Sequence, residues 1–163
     1  MGRPARVACF LAVVVAGVVC DQLTKEAMRG LLAGGARRVL VPGIMDLVLV
    51  ENTGAAFSIG EGAGAAFALV ALAVAVGALV WVAREDDMHA PLVVSLACVA
   101  GGGVGNMLDR LLRGSVTDFL CTTFMDFPVF NVADILVTLG VIATLVLVAR
   151  QDRLREQGQG EQG

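Results

Sequence analysis

The chain has 163 residues, of which 57% are hydrophobic and only 17% are charged, and its mean hydropathy is +0.81. This composition excludes an ordinary soluble domain and indicates a membrane protein. The net charge is −3 and the sequence has no basic face, which argues against nucleic acid as a partner. Four cysteines without metal-ligand spacing and a single histidine predict no disulfide scaffold, no metal site and no cofactor.

Four apolar stretches predict four transmembrane helices, at residues 7–19, 63–83, 91–108 and 132–149. A membrane span needs about 20 residues, so the last three stretches are long enough and the first is short. It reaches spanning length only when its helix continues past Asp21 toward Ala27. Asp21 and Lys25 then lie in or near the membrane interface.

The first stretch has an alternative interpretation. Arg3 and Arg6 precede an apolar run that ends at Cys20, as in the signal peptide of a lipoprotein. Val19 stands where such a cleavage site has a small residue, and three further spans follow, so a helix is the preferred interpretation. A non-enzymatic lipoprotein anchored at Cys20 stays open as a competing hypothesis.

The connection between the first two helices, residues 22–62, contains the segment VLVPGIMDLVLVENTGAAFSIG. Its Val-rich runs are interrupted by Pro42-Gly43 and by Asn52-Thr53-Gly54, which predicts two short strands or a small hairpin. The predicted fold class is an all-α membrane protein of four transmembrane helices, with a small extramembrane β-element between helices 1 and 2. We expect a single domain over residues 1–163, with residues 112–131 as a loop and a disordered tail at 151–163.

In a four-helix arrangement, the polar clusters of the sequence fall on one membrane face. These clusters are DQLTK at 21–25, ENTGAAF at 51–57, GNMLDR at 105–110, GSVTDF at 114–119 and FNVAD at 130–134. The pattern predicts one shared site at that face. Lysines and arginines divide six against six between the two faces, and six against four without Lys25 and Arg110, which favours termini in the cytoplasm.

Asp134 stands in an otherwise apolar helical stretch and has two interpretations. As the third residue of helix 4, it forms a capping box with Asn131 at the N-cap. An Asp at the bilayer centre costs about 2.5 to 3.5 kcal/mol, which favours a functional role. Asp118 lies 16 residues earlier, in a segment that leaves and re-enters the same face, so the two carboxyls can meet.

Two neighbouring carboxyls in a low-dielectric site share a proton, because both cannot ionise. One then acts as general base on a water molecule while the other polarises a peptide carbonyl, which is the chemistry of an aspartyl endopeptidase. The alternative function is a small proton-coupled transporter with Asp134 as its proton carrier. Transport sites usually lie near the bilayer midplane, however, whereas these acids cluster at one face.

Helices 1 and 3 carry further polar and small residues. A spacing of four residues predicts local ion pairs for Asp21 with Lys25 and for Asp109 with Arg113. The glycines of the run GGGVGN at 101–106 predict close helix packing. Asn106 ends that run, and an amide in lipid needs polar partners.

The segments DQLTK, VENTGAAFS, GGGVGNMLDR, GSVTDF and FPVFNVAD occur in an order that resembles the lipoprotein signal peptidases, or signal peptidase II. The resemblance covers about residues 10–150. It implies that Asp118 and Asp134 are the catalytic pair of an aspartyl protease. It implies supporting or substrate-binding roles for Asp21, Lys25, Asn52, Gly54, Asn106, Arg110 and Asn131.

The resemblance also implies a substrate and a location. The substrate is a prolipoprotein that carries diacylglycerol on a Cys and is cut on the amino side of that Cys. The expected enzyme is a monomer among membrane lipids in the bacterial inner membrane, with cytoplasmic termini and a site toward the periplasmic or outer face. Two departures concern Ile135, where the family often has Ser, and the aromatic residues, since the chain has no Tyr and its one Trp, Trp81, lies near the opposite face.

Overall fold

The computed structural model describes residues 1–54 and 64–160, which form four helices and three strands. The helices are α1 (Arg3–Leu31), α2 (Gly64–Arg84), α3 (Ala90–Arg113) and α4 (Val132–Gly160), and the strands are β1 (Arg38–Val41), β2 (Met45–Asn52) and β3 (Val116–Thr122). Each helix contains a segment long and apolar enough to span a membrane, which in α4 is Val132–Leu154. The four predicted spans are therefore confirmed.

The first helix continues through its polar residues, as the length of its apolar stretch requires. α1 has 29 residues, which at 1.5 Å per residue makes it about 43 Å long, more than the hydrocarbon core of a bilayer. Asp21 and Lys25 lie within it and are fully buried. Asp21 lies against Gly105 of α3 and accepts a hydrogen bond from the backbone N–H of Ala133 in α4.

α3 is the central helix and packs against the other three. Its glycines make the close approaches possible. A Cβ on Gly102 would collide with the backbone oxygen of Ala133 in α4, and a Cβ on Gly105 would lie 2.6 Å from Asp21 Oδ2 in α1. The prediction of close helix packing at this run is thus confirmed. α3 ends at Arg113 and is capped by Gly114, whose positive φ of 80° suits a glycine.

The extramembrane element is a three-stranded antiparallel sheet of order β1-β2-β3. β1 and β2 form the predicted hairpin, with Gly43 at φ 71° in its turn. The third strand corrects the prediction of a loop over residues 112–131, because β3 pairs with β2 and places Asp118 opposite Val50. Strand pairing between segments more than 60 residues apart depends on the helix bundle and leaves no local pattern.

Apolar clusters hold the two ends of the molecule. Leu32, Leu47, Phe119 and Leu120 form a buried cluster that joins the end of α1 to strands β2 and β3. At the other end, a cluster that includes Phe10, Val82, Leu92 and Val93 joins α1, α2 and α3.

Two predictions concern residues at or beyond the ends of the described segments. α4 runs to Gly160, past residue 151 where the composition predicts a disordered tail, and residues 161–163 lie outside the described residues. Residues 55–57 of the ENTGAAF motif, and residue 63 at the predicted start of helix 2, also lie outside them.

Candidate active site

The residues predicted to form one site are joined by one continuous set of hydrogen bonds and ion pairs at one end of the bundle. α1, β2, α3, β3 and α4 each contribute to it, so the polar clusters do share one face. The nine residues are Asp21, Lys25, Asn52, Gly54, Asn106, Arg110, Asp118, Asn131 and Asp134.

Asn131 connects the two candidate catalytic carboxyls. Its side-chain Nδ2 donates to Asp118 Oδ1 across 2.6 Å, and its backbone N–H donates to Asp134 Oδ2 across 3.0 Å. Its Oδ1 accepts from the backbone N–H of Asp134 at 3.0 Å, which completes a capping box at the start of α4. The capping and functional interpretations of Asp134 are therefore compatible, because the cap itself links Asp134 to Asp118.

Asp118 lies in β3, is 3% exposed and accepts a second hydrogen bond from Asn52. Asn52 Nδ2 donates to its Oδ2 across 3.0 Å, while Asn52 Oδ1 accepts from the backbone N–H of Gly54 at 2.9 Å. Burial raises the pKa of Asp118 to about 6, and the nearby charge of Asp134 also raises it, while the hydrogen bonds from Asn52 and Asn131 lower it. A protonated Asp118 is consequently accessible near neutral pH.

Asn106 connects Asp134 to the ion pairs of α1. Its Nδ2 donates to Asp134 Oδ1 at 2.8 Å, and its Oδ1 accepts from Lys25 Nζ at 2.8 Å and from Asn131 Nδ2 at 3.1 Å. An ammonium can only donate, so Lys25 determines which end of the amide faces it. Asn106 must then present its NH₂ group to Asp134.

Lys25 is surrounded by two buried carboxylates. Its Nζ lies 2.8 Å from Asp21 and 3.1 Å from Asp109, and Arg29 lies 3.2 Å from Asp109. Two positive charges thus face two negative ones within this group. The predicted pair of Asp21 with Lys25 is present.

The predicted pair of Asp109 with Arg113 is wrong. Asp109 points into the bundle toward Lys25 and Arg29, and Arg113 pairs instead with Glu26 on α1 at 3.2 Å. Tertiary contacts outweigh the local spacing here, because Asp109 is completely buried and needs charged partners that the half-exposed Arg113 does not supply.

Arg110 is the cation that faces the site itself. Its Nη2 donates to the backbone oxygen of Gly54 at 3.0 Å, and its guanidinium lies 5.4 Å from the ring centre of Phe67. Its Nε is buried and has no partner among the residues described by the structure. The charges of Asp134 and Asp118 act on this guanidinium.

A cavity of about 830 Å³ opens beside both carboxyls. Asn52, Asn106, Arg110, Asp118 and Asp134 line its polar end. From there it follows the helices through apolar walls and reaches Val141, seven residues beyond Asp134 and about 10 Å along α4. The apolar walls include Val70, Val74, Val99, Ile135, Leu139 and Val141.

The network extends to residues that were not among the predicted site residues, and Gln22, Arg29, Asp109 and Thr117 are examples. Gln22 Nε2 donates to Asp21 Oδ2 at 3.1 Å, and Arg29 contacts both Asp109 and Thr117. Asp109 could have been selected from the sequence, since it is an acid at the end of an apolar helix. Arg29 and Thr117 carry no such signal, because a charge near a helix end and a threonine in a strand are common on surfaces.

The fold and site define a class of protein: a multi-pass membrane protein with two linked carboxyls at one end of a cavity whose remaining walls are mostly apolar. The family model described as signal peptidase (SPase) II matches residues 13–150. A lipoprotein signal peptidase of Symbiobacterium thermophilum is 40% identical over 146 residues, which cover 86% of this chain and 96% of that protein. The corresponding protein of Parasynechococcus marenigrum is also 40% identical, with 89% and 91% covered.

Solved structures agree with the sequence comparison. A bacterial membrane enzyme determined by the in meso method at 2.3 Å resolution has a TM-score of 0.81 and 26% identity, with 88% of each chain covered. A second such structure, at 1.9 Å resolution, has a TM-score of 0.77. The chain belongs to the signal peptidase II family. It is a multi-pass protein of the bacterial inner membrane.

Proposed function

We propose that this protein is an aspartyl endopeptidase that removes signal peptides from diacylglyceryl-modified prolipoproteins, cutting on the amino side of the lipidated Cys. Family membership supports signal-peptide removal from lipoproteins. The observation that carries the aspartyl mechanism is the position of Asp118 and Asp134, which line one cavity and are hydrogen-bonded to the same residue, Asn131.

The surroundings of the two carboxyls support different roles. Asp118 is buried, with its pKa raised to about 6, and we assign the shared proton to it. Asp134 accepts N–H groups from Asn106 and from the backbone of Asn131, at the positive end of α4. Asp134 is therefore the general base in the first step, and Asp118 is the general acid.

Hydrolysis then proceeds without a covalent intermediate. Asp134 removes a proton from a water molecule, whose oxygen attacks the scissile carbonyl carbon, while Asp118 gives its proton to the carbonyl oxygen. In the second step, Asp134 returns its proton to the amide nitrogen and Asp118 takes a proton from the diol. The C–N bond breaks, the carboxylic acid and the amine form, and both aspartates regain their starting states.

The cavity suits a substrate that is part peptide and part lipid. Its polar end offers the Arg110 guanidinium and the Asn52 amide near the carboxyls, and its apolar walls follow α2 and α4 away from them. A diacylglyceryl chain and an apolar signal peptide both suit such walls, because neither would offer hydrogen-bond partners to a wall of polar groups. This shape supports cleavage at the lipid-anchored Cys.

The charge distribution and the proposed substrate support one orientation of the protein in the membrane. We place both termini in the cytoplasm and the site at the periplasmic or outer face. The side of the termini has six lysines and arginines, and the other side has four when Lys25 and Arg110 are left out, which supports this orientation. These two residues are left out because they lie in the site network and not in loops. Labelling of single cysteines in inverted and right-side-out vesicles tests the assignment.

Cleavage of a lipidated precursor by the purified protein in detergent tests the mechanism. Asp118→Asn and Asp134→Asn each reduce the rate by about 10² to 10⁴-fold or more, because each removes a proton-transfer group. Both variants must fold and insert like the wild type. Full activity in either variant would contradict the mechanism, and substrate-dependent proton flux without proteolysis would favour a transporter.

A further inference from the structure

Thr117, the residue before Asp118 in β3, is completely buried although its side chain is polar. Its hydroxyl oxygen accepts hydrogen bonds from Arg29 Nε at 3.0 Å and from Arg29 Nη2 at 2.7 Å. The hydroxyl donates to Glu51 Oε1 across 3.3 Å. A hydroxyl offers one donor and two acceptor positions, so all three positions of Thr117 are used.

The backbone of Thr117 is held as firmly as its side chain. Its N–H donates to Asp109 Oδ2 at 3.1 Å, and the other oxygen of Asp109 accepts from Arg29 Nη2 at 3.2 Å. Glu51 lies opposite Thr117 in the β2–β3 ladder. α1, α3 and β2 therefore all fix the position of this one residue.

Successive side chains of a strand point to opposite faces, so Thr117 and Asp118 face different neighbours. Thr117 faces Arg29, while Asp118 faces Asn52 and Asn131. A displacement of residue 117 necessarily moves the carboxyl of the next residue. We propose that Arg29 is a positioning residue that acts through Thr117 to hold Asp118 in register with Asn131 and Asp134.

The inference rests on the proposed function and adds a residue to it. The guanidinium of Arg29 also contacts Glu26, at 2.9 Å, so its planar fork serves three side chains at once. Among the described residues, Arg29 contacts these three side chains and neither candidate catalytic carboxyl. Its proposed effect is therefore on the position of Asp118. A lysine carries the same charge but cannot reproduce the fork.

Matched variants of Thr117 test the geometry. Thr117→Val keeps the shape and removes the hydroxyl, and Thr117→Ser keeps the hydroxyl. We expect Thr117→Val to lower kcat about tenfold to a hundredfold with KM changed less than about twofold, because the cavity walls are untouched. Thr117→Ser retains at least about half of the wild-type kcat, since the contact with Arg29 survives.

The pH profile separates positioning from a merely structural role. A displaced Asp118 loses its donors Asn52 and Asn131, which lower its pKa, so the basic limb of kcat/KM moves to higher pH in Thr117→Val. The charged groups that act on Asp118 from the other elements, Asp134 and Lys25, are unchanged in all variants. The positive charge of Arg110 also remains. A rate that falls only in proportion to folded protein, with an unchanged profile, overturns the proposal.

Variants of Arg29 complete the test. Arg29→Lys should lose activity to about the extent of Thr117→Val, and wild-type activity in Arg29→Lys would show that charge alone suffices. The double variant Arg29→Met with Thr117→Val should be no worse than the more severe single variant, whereas additive losses contradict action through Thr117. Asp118→Asn in the same assay shows which proposal has failed. Full activity in that variant would refute the proposed function itself, and not only the role of Arg29.

Discussion

The Asn131 side chain donates to Asp118 Oδ1 across 2.6 Å while Asn131 also caps the helix that carries the second carboxyl. Asn131→Ser keeps a capping oxygen but loses this donor, so we expect near-normal stability and a loss of activity of about tenfold or more. Asn131→Ala loses both and should unfold more readily than Asn131→Ser, by about 1 kcal/mol. Melting temperature and peptidase rate, measured on both variants, distinguish the helix cap from the hydrogen bond to Asp118. Equal activity in Asn131→Ser and wild type would contradict a role of that hydrogen bond in the reaction.

We expect Asn52 to influence the pH dependence of the proposed reaction. The pKa of Asp118 is raised to about 6, mainly by burial, and the hydrogen bond from Asn52 opposes that rise. Because Asp118 is the proposed general acid and must carry its proton, we expect kcat/KM to fall as the pH rises through about this value. Asn52→Ala removes the opposing bond, and we expect the basic limb to move to higher pH.

Asp46→Asn is the control for that experiment. Asp46 lies in the same strand and pairs with Arg37 at 2.6 Å, away from the cavity. Its variant should leave the basic limb where the wild type has it. A limb that stays in place in Asn52→Ala, or one that moves equally in both variants, would show that Asn52 does not tune Asp118.

The helices and the juxtaposition of polar clusters were predictable from the sequence, because hydropathy determines where spans lie and alternation of spans determines which ends meet. The same argument extended α1 past Asp21, since a shorter helix cannot cross a bilayer. β3 was missed because its partner β2 precedes it by two transmembrane helices. Arg29 and Thr117 were missed for a related reason, as only the folded bundle shows that they touch each other.

Lys25 is the charge on which the buried network depends. Lys25→Met leaves Asp21 and Asp109 buried with only Arg29 to compensate them, and we expect a loss of about 3 to 5 kcal/mol in the free energy of unfolding. Glu26→Gln is the control, because Glu26 is 68% exposed and its ion pairs should contribute less than about 1 kcal/mol. Thermal unfolding in detergent measures the stability of both variants. Similar losses in Lys25→Met and Glu26→Gln would show that the buried network does not depend on Lys25.

Asp118 makes a pH-dependent contribution to stability. Its pKa rises from 3.8 in the unfolded chain to about 6 in the folded protein, so the folded state binds this proton more tightly. The contribution is most favourable below about pH 4 and is lost as the pH rises toward 6, by about 3 kcal/mol in all. Asp118→Asn cannot titrate there. The difference in melting temperature between variant and wild type should shift in favour of the variant across this window, and a constant difference would contradict the raised pKa.

Gly105 marks the closest approach of α3 to the ion pairs of α1. A Cβ there would lie 2.6 Å from Asp21 Oδ2, and Asp21 cannot yield, because Lys25 holds it at 2.8 Å and the N–H of Ala133 at 3.0 Å. We therefore expect Gly105→Ala to lower the free energy of unfolding by about 1 to 3 kcal/mol and to reduce activity. Gly77→Ala is the matched control, since a Cβ at Gly77 in α2 meets no described atom within 4 Å. That variant should be neutral or up to about 1 kcal/mol more stable, because alanine is the better helix former. Equal melting temperatures for the two variants would show that the contact between α1 and α3 is looser than this packing requires.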